Sequence, residues 1–284
     1  MSIRSKIHNL LLTVLNEPKE RVNICVSNVN YGLCMNGNTV LIVGGSRGIG
    51  FSIAQKMISE GAFVIITGRK ENSLIEAQKK LGDSAAYVIY DNEKIKDRET
   101  FLDKCYSIQG KIDCFVLNAG ISLHEGNFLN VSEEGFEKQF RINLESTYFL
   151  LQSITKRALS ENLKSNILIV SSETSAKSND LPYGLTKNAI NSMIGGISRR
   201  VCQRGIRING IAPGVTLTEM TSKRTVSDDL QNNSAYGRFL LVDEISNVAV
   251  FLLSEASSCI NGEVVFCDGG NHLKINGLDS KYSF

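Results

Sequence analysis

The sequence predicts an α/β fold built on one doubly wound parallel sheet, and two patterns support this prediction. Short apolar segments of strand length alternate with longer segments whose apolar residues recur at helical spacing, which is typical of parallel strands joined by covering helices. Polar residues or glycines follow most of the apolar segments, for example Asp91, Asn118 and Ser172. Because ligands of such sheets bind beyond the carboxyl ends of the strands, these residues are expected to share one site.

The strand segments are apolar almost throughout, as expected for strands that are covered on both faces. The sequence predicts strands over residues 39–43, 62–67, 85–90, 112–117, 166–170, 206–211 and 263–267. It predicts helices over residues 51–61, 73–81, 97–108, 132–160, 182–203 and 239–253. The result is a sheet of about seven strands with helices on both faces.

Length, composition and charge fit one large soluble domain. The chain has 284 residues, of which 42% are hydrophobic and 21% charged, as in ordinary globular proteins. A net charge of +2 without a long block of Lys or Arg argues against nucleic acid or an anionic membrane as the main partner. Seven scattered cysteines form no C-x-x-C pair and no metal ligands cluster, so a cytoplasmic protein without a metal site is expected.

The domain boundaries are expected near residues 37 and 270. Residues 1–36 form an N-terminal extension that begins with an amphipathic helix, and residues 271–284 form a C-terminal tail. The leader lacks the cleavage site of a secretory signal, and no apolar run is long enough to span a membrane. We expect the extension to pack on the main domain or on a neighbouring subunit, with a membrane-surface anchor as the alternative.

A glycine-rich turn follows the first predicted strand. It reads Val43-Gly44-Gly45-Ser46-Arg47-Gly48-Ile49-Gly50, with glycines in a G-x-x-x-G-x-G spacing. Glycines allow backbone to approach a ligand closely, and the N-terminus of the following helix offers N–H groups to a phosphate. The turn therefore predicts a pyrophosphate site, although three glycines can also serve only a tight turn.

Six motifs in order resemble the classical short-chain dehydrogenase/reductase family, most closely its 3-oxoacyl-carrier-protein-reductase-like branch. They are the glycine turn, Asn118-Ala119-Gly120, Asn143 in a helix, Ser172 with Tyr183-Gly184-Leu185-Thr186-Lys187, the segment from Pro213-Gly214 to Thr218, and a closing strand at 262–270. The matches cover roughly residues 37–270. The resemblance implies a single Rossmann-type domain, a nicotinamide cofactor, a small-molecule substrate and a homo-oligomer.

The resemblance implies that the catalytic residues are Asn143, Ser172, Tyr183 and Lys187. Tyr183 and Lys187 lie one helical turn apart, so the ammonium is expected to lower the pKa of the phenol and allow acid–base catalysis. Ser172 is expected to stabilise charge on the substrate oxygen, and Asn143 is expected to hold a water that relays protons to Lys187. Ser171 is an alternative for the serine role, because the interval from Ser172 to Tyr183 is about two residues shorter than is common in the family.

The predicted cofactor set, carried over motif by motif, is Gly44, Ser46, Arg47, Gly48, Ile49, Gly50, Arg69, Asp91, Asn118, Ala119, Gly120, Tyr183, Lys187, Pro213, Gly214, Val215 and Thr218. The second strand ends without the carboxylate that would bind the ribose hydroxyls of NAD. Arg69 and Arg47 can instead bind a 2′-phosphate, unless they are ordinary surface arginines. NADP(H) is therefore expected in preference to NAD(H), which remains possible.

The predicted function is the NADP(H)-dependent reduction of a carbonyl, a 3-oxoacyl group or another ketone, to a secondary alcohol. One alternative is a non-catalytic NADP-binding regulator or scaffold, and another is an enzyme of this family acting on a sugar or a polyketide-type substrate. Residues 215–238 are expected to cover the substrate, with His124 and Glu125 as further candidates for its pocket.

Overall fold

The computed structural model describes residues 32–218 and 234–273. Within these residues seven parallel strands form one sheet in the order β3-β2-β1-β4-β5-β6-β7. The strands are β1 (Thr39–Val43), β2 (Phe63–Gly68), β3 (Ala85–Ile89), β4 (Cys114–Leu117), β5 (Ser165–Val170), β6 (Ile206–Pro213) and β7 (Val264–Cys267). The predicted fold class is confirmed.

Helices connect the strands in chain order and lie on both faces of the sheet. They are α1 (Gly48–Ser59), α2 (Glu71–Leu81), α3 (Arg98–Gln109), α4 (Glu133–Gln139), α5 (Ser146–Ser160), α6 (Pro182–Val201) and α7 (Val242–Leu253). A π-helical turn, Phe140–Glu145, joins α4 to α5 and makes one continuous helical run. The predicted helix over 132–160 is therefore present, and the other predicted elements agree with the structure to within about three residues.

Alternate residues of the central strands supply two separate cores. Leu41, Ile65 and Phe115 face the core that α3, α5 and α6 cover. Val40, Ile42 and Val64 face the opposite core, which α1, α2 and α7 cover. Because successive side chains of a strand point to opposite faces, a strand that is apolar at every position requires helices on both sides.

The chain changes direction across the sheet between β1 and β4. From β1 the chain adds β2 and β3 on one side, and β4 to β7 follow on the other. The loops after β1 and β4 consequently separate at their carboxyl ends and leave a crevice, where ligands of this architecture bind. Gly44 follows β1 and Asn118 follows β4 at this point.

Several predictions fall outside the described residues. These are the amphipathic helix of the N-terminal extension, the C-terminal tail beyond residue 273 and most of the segment 215–238. In the part of the chain that is described, no helix is both long and apolar enough to cross a membrane.

Candidate active site

A cavity of about 840 Å³ lies along the carboxyl edge of the sheet. It is lined by residues that follow β1, β2, β3, β4, β5 and β6, together with residues of α1, α2 and α6. All the predicted cofactor residues line it except Gly50. The predicted serine, tyrosine and lysine lie in the same cavity wall, so residues that are far apart in sequence meet in one space.

The glycine turn forms the floor of the cavity between β1 and α1. Gly44 and Gly48 have φ angles of +83° and +56°, which side chains rarely adopt. A Cβ atom on Gly44 would also lie 3.0 Å from the Ala119 backbone. Arg47 is the N-cap residue of α1, its side chain makes no capping hydrogen bond, and the first turn carries no acidic residue. This helix N-terminus therefore suits a phosphate group.

Gly50 and Asn118 support the turn from behind. The Asn118 Nδ2 donates a hydrogen bond of 2.7 Å to the Gly44 carbonyl oxygen. A Cβ atom on Gly50 would overlap that carbonyl and lie 2.6 Å from the Asn118 Nδ2. Gly50 is thus required for packing beneath the turn. Gly50 belongs to the cofactor set predicted from the sequence, but in the structure it does not line the cavity.

One end of the cavity is basic. Arg47 and Arg69 line it with Lys70 and Lys80, two residues that the sequence reasoning missed. The sequence pattern that could have indicated Lys80 is its position in α2, the helix that directly follows Arg69 and Lys70. Arg47 at the start of α1, with Arg69 and Lys70 directly after β2, forms a cluster of cations that is suited to an additional phosphate, whereas Lys80 lies further along the cavity in the last turn of α2.

Asp91 lies just beyond β3 at the same end of the cavity. Its Oδ1 accepts a hydrogen bond of 3.1 Å from the Glu93 backbone N–H, as in an Asx turn. Asp91 nevertheless lines the cavity beside the half of the sheet where the basic residues lie. The turn fixes the carboxylate in place without withdrawing it from the cavity.

The two adjacent serines after β5 have different partners. The Ser171 Oγ donates a hydrogen bond of 2.6 Å to the Asn191 Oδ1 on α6. The Ser172 Oγ accepts a hydrogen bond of 3.3 Å from the Thr174 backbone N–H, and it lies close enough to Tyr183 to lower the pKa of the phenol. Because Ser172 contacts the tyrosine and Ser171 is committed to α6, the geometry favours Ser172 for the serine role.

Tyr183 and Lys187 lie one turn apart near the start of α6. The Lys187 Nζ lies 5.6 Å from the centre of the Tyr183 ring and donates a hydrogen bond of 2.8 Å to the Val170 carbonyl oxygen. Lys187 is only 4% exposed, and burial lowers its pKa to about 8. An ammonium held in this way has little water around it and can act strongly on a neighbouring group.

The prediction that Lys187 lowers the pKa of the Tyr183 phenol is wrong for the structure as described. Burial raises the pKa of Tyr183 because it disfavours the phenolate; the hydrogen bond with Ser172 opposes this effect, and the Glu173 carboxylate adds to it. The sequence spacing correctly predicted that the Lys187 ammonium lies near the Tyr183 ring. It could not predict how far burial of the phenol would disfavour the phenolate.

Asn143 lies in the π-helical turn behind the cavity wall and is 1% exposed. Its Oδ1 accepts a hydrogen bond of 2.8 Å from the Ile121 N–H, and its Nδ2 donates one of 2.9 Å to the Ile121 carbonyl. The Nδ2 also lies 3.3 Å from the Thr186 Oγ1 on α6. Asn143 therefore joins the loop after β4 to the helix that carries Tyr183 and Lys187. π-helical turns are frequent at functional sites.

The segment after β6 closes the cavity opposite the glycine turn. Pro213, Gly214, Val215 and Thr218 all line it. The Gly214 N–H donates a hydrogen bond of 2.8 Å to the Cys267 carbonyl, which fixes this segment to β7. Thr218 faces the turn, since its Cγ2 would lie 3.5 Å from a Cβ atom on Gly48. The cavity is thus narrow at the glycine turn, where a pyrophosphate would bind.

His124 lines the cavity and Glu125 does not. Glu125 instead accepts a hydrogen bond of 2.5 Å from the buried Gln139. Two further polar residues of the wall, Glu173 and Thr174, were missed because nothing in the sequence distinguishes them from a loop after a strand. In the described parts of the chain no group of three or more His, Cys, Asp or Glu could hold a metal ion.

The fold and the cavity define a dinucleotide-binding α/β protein with a Ser-Tyr-Lys constellation. The sequence profile of a family described as enoyl-(acyl carrier protein) reductase matches residues 43–272. The chain therefore belongs to the short-chain dehydrogenase/reductase family, whose members are oxidoreductases. The family predicted from the motifs is confirmed.

Similar proteins act on varied substrates. The chain is 30% identical to an L-rhamnose 1-dehydrogenase (NADP(+)) of Thermoplasma acidophilum, over 86% of this chain and 99% of that protein. It is 32% identical to a gluconate 5-dehydrogenase of Gluconobacter oxydans, over 83% of this chain and 95% of the relative. A crystal structure of a 3-ketoacyl-(acyl-carrier-protein) reductase from Brucella melitensis, complexed with NADH, has a TM-score of 0.77 at 25% identity and covers 84% of this chain and 100% of its own.

Proposed function

We propose that this protein is an NADP(H)-dependent oxidoreductase that interconverts a ketone and a secondary alcohol. The observation that supports this most directly is the composition of one cavity. Its glycine turn and basic end suit a dinucleotide with an additional phosphate, while Ser172, Tyr183 and Lys187 line the wall beyond β5. A cofactor bound along the cavity would have its reactive ring beside these three side chains.

The bound nicotinamide would supply the hydride and, in its oxidised form, a positive charge beside the phenol. Tyr183 donates its proton to the substrate oxygen during reduction and removes it during oxidation. Ser172 donates a hydrogen bond to the same oxygen and stabilises the charge that develops there. Burial raises the pKa of the Tyr183 phenol, and the Lys187 ammonium, 5.6 Å from the centre of the ring, would favour the phenolate together with a bound oxidised nicotinamide.

Asn143 has a positioning role in this proposal. Its side-chain bonds to Ile121 and Thr186 hold the loop after β4 against α6 and keep Lys187 in register with the cavity. A water beside Asn143 and Lys187 would return protons to the tyrosine after each turnover. The Asn143 carbonyl oxygen also accepts a hydrogen bond of 2.8 Å from Thr147, which fixes the π-helical turn.

The cofactor preference rests on charge at the basic end. Arg47, Arg69 and Lys70 line the cavity beside the ends of β1 and β2, where the ribose of the adenosine would lie. A 2′-phosphate there would gain charge-assisted hydrogen bonds, whereas the hydroxyl of NAD(H) would meet no carboxylate at the end of β2. The T. acidophilum relative is described as NADP(+)-dependent, which agrees with this preference.

An absorbance assay of NADPH oxidation with a panel of ketones tests the proposal. We expect turnover with several ketones and a higher kcat/KM with NADPH than with NADH. Tight NADPH binding without oxidation of NADPH by any ketone would instead favour the alternative, a non-catalytic NADP-binding regulator or scaffold. The complete Ser172, Tyr183 and Lys187 set weighs against that alternative, since binding alone needs no proton donor.

We also infer that the protein forms a homo-oligomer through a groove on α4, α5 and α6. The groove encloses about 660 Å³ and is lined by Phe136, Phe140, Leu144, Tyr148, Phe149 and Met193. Glu137, Arg141 and Glu145 are spaced four residues apart along it, so a second copy in the opposite direction can pair the arginine with a glutamate.

We propose a cytoplasmic location for this assembly, given the free cysteines of the described residues.

Sedimentation analysis tests this assembly. Tyr148→Asp places a charge at an exposed position of the groove and is expected to shift the protein toward monomers. Ile75→Asp, a change at an exposed apolar residue of α2 outside the groove, is the control and should leave the oligomeric state unchanged. A monomeric wild-type protein would contradict the inference.

A further inference from the structure

Glu173 places a carboxylate beside the reacting groups without a role in the proposed chemistry. It directly follows Ser172 and begins a short 3-10 helix, Glu173–Ala176. The residue is only 8% exposed, yet it lines the same cavity as Ser172 and Tyr183. A charged side chain is rarely buried in this way without a partner.

The carboxylate is held in a fixed position from one side. The Asn271 Nδ2 donates a hydrogen bond of 2.6 Å to the Glu173 Oε2. Asn271 is itself fixed, because its Oδ1 accepts a hydrogen bond of 3.0 Å from the Ala235 N–H. A Cβ atom on Gly214 would lie 3.4 Å from the Oε2, so the carboxylate lies against the end of β6.

This arrangement leaves acceptor capacity unused. Among residues 32–218 and 234–273, Asn271 is the only hydrogen-bond donor to Glu173. The Lys177 Nζ lies 3.8 Å from the Oε1, which offsets the negative charge without forming a hydrogen bond. A carboxylate can accept at about four lone-pair positions. A donor on a bound molecule would satisfy those that remain.

We propose that Glu173 binds a hydroxyl group on the carbon next to the reacting carbonyl, so that hydroxyketones and vicinal diols form the substrate class. This inference rests on the proposed oxidoreductase function. The substrate oxygen would lie between Ser172 and Tyr183, and Glu173 is the next residue along the wall. Because the carboxylate only accepts hydrogen bonds, it selects a donor and repels an anionic substituent at that carbon.

A hydroxyl fits better than an ammonium group. Lys177 already provides a cation near the carboxylate, and a second cation would be repelled by it. The proximity of Glu173 to the reacting groups is supported independently, since its charge contributes to raising the pKa of the Tyr183 phenol. The competing explanation is structural: Glu173 would then serve only to anchor residues 268–273 through Asn271.

Matched substrates separate these explanations. The kcat/KM for acetoin and for 2-butanone is measured with NADPH in the wild type, Glu173→Gln and Asp180→Asn. We expect the wild type to prefer acetoin by about 10- to 100-fold, as a hydrogen bond to a charged group allows. In Glu173→Gln the kcat/KM for acetoin should fall about 10-fold more than the kcat/KM for 2-butanone, mainly because the KM for acetoin rises. Asp180→Asn changes an exposed carboxylate outside the cavity and should keep the wild-type preference.

Three results would overturn the inference. The wild type could show no preference for acetoin. Glu173→Gln could lower the kcat/KM for acetoin and for 2-butanone by the same factor. 3-Amino-2-butanone could be a better substrate than acetoin. An equal loss with both ketones, matched by Asn271→Ala, would show that Glu173 is only an anchor. Rescue of the acetoin preference by Glu173→Asp would support the recognition of a hydroxyl.

A binding measurement keeps the inference testable without turnover. Calorimetric titration of the NADPH-saturated protein, in which cofactor and alcohol are both reduced and no hydride can be transferred, compares meso-2,3-butanediol with 2-butanol. We expect the diol to bind about 10-fold more tightly in the wild type and this advantage to disappear in Glu173→Gln. Equal affinities in the wild type would reject the role of Glu173, whereas failure to oxidise NADPH with any ketone would reject only the proposed function.

Discussion

The two ends of the cavity are built in different ways. At the cofactor end, Gly44, Arg47 and Arg69 belong to short contiguous motifs, and both arginines are exposed. At the reacting end, Ser172 and Lys187 come from separate elements and are 8% and 4% exposed. The first end is defined by backbone shape and solvated charge, and the second by buried polar groups that long-range packing brings together.

This difference predicts where substitutions have large effects. A charge that water screens contributes little to a single interaction, whereas a polar group in a site with little water acts strongly on its neighbours. Changes at the reacting end should therefore alter catalysis by orders of magnitude. Changes at the basic end should alter cofactor preference by about one order of magnitude.

The largest effect is expected from Tyr183→Phe, which removes the acid that Ser172 contacts. We expect kcat for ketone reduction to fall by about 10³-fold, as loss of a general acid typically causes. NADPH affinity, measured by fluorescence titration, should change little, because the ring and its packing are retained. A variant that keeps more than about a tenth of the wild-type kcat would show that the proton comes from another group.

Lys187→Met should lower activity and raise stability together. Its folded pKa of about 8 lies below the ordinary value, so below about pH 8 the protein carries a buried charge that opposes folding. Removing it should raise the Tm at pH 7 by about 2–4 °C, while kcat falls about 10²-fold.

The pH dependence of this stability gain can be checked by thermal denaturation. Between about pH 8 and the ordinary lysine pKa the unfolded chain binds more protons than the folded protein, so wild-type stability attributable to Lys187 rises with pH. The difference in Tm between Lys187→Met and the wild type should narrow over this interval. A difference that is constant with pH would contradict the buried ammonium.

The smallest effect is expected at the basic end. Arg69→Ala should lower the ratio of kcat/KM with NADPH to that with NADH by about 10-fold, because one charge-assisted contact to the 2′-phosphate is lost. Arg47→Ala should act in the same direction. Arg204→Ala, outside the cavity, is the control. A wild-type preference for NADH that Arg69→Ala leaves unaltered would refute this part of the account.

The same comparison explains what the sequence could predict. The strands, the glycine turn and the two arginines Arg47 and Arg69 follow from local patterns, so the fold could be predicted and the cofactor residues could be proposed from the sequence. Choosing between Ser171 and Ser172 required the position of Asn191 on α6, which lies 20 residues away. The sequence also predicted that Gly50 contacts the cofactor, whereas it packs against the Gly44 carbonyl.

Burial limited the prediction most strongly at the reacting end. The spacing of Tyr183 and Lys187 indicated their proximity, but their pKa values depend on how much water the whole fold removes. Glu173 looked like a loop residue because its partner, Asn271, lies 98 residues further along the chain. Contacts over such separations have no local signature in one sequence.

Isotope transfer shows directly whether this cavity delivers a hydride to a ketone. NADPH carrying deuterium at C4 of the nicotinamide, with either face labelled in separate reactions, is incubated with the protein and acetoin, and the diol is examined by mass spectrometry. We expect one deuterium on the former carbonyl carbon from one labelled face, and none with Tyr183→Phe over the same time. A protein that binds NADPH but yields no labelled alcohol from either face, with acetoin or with any other ketone of the panel, would contradict the assignment of this cavity as a hydride-transfer site.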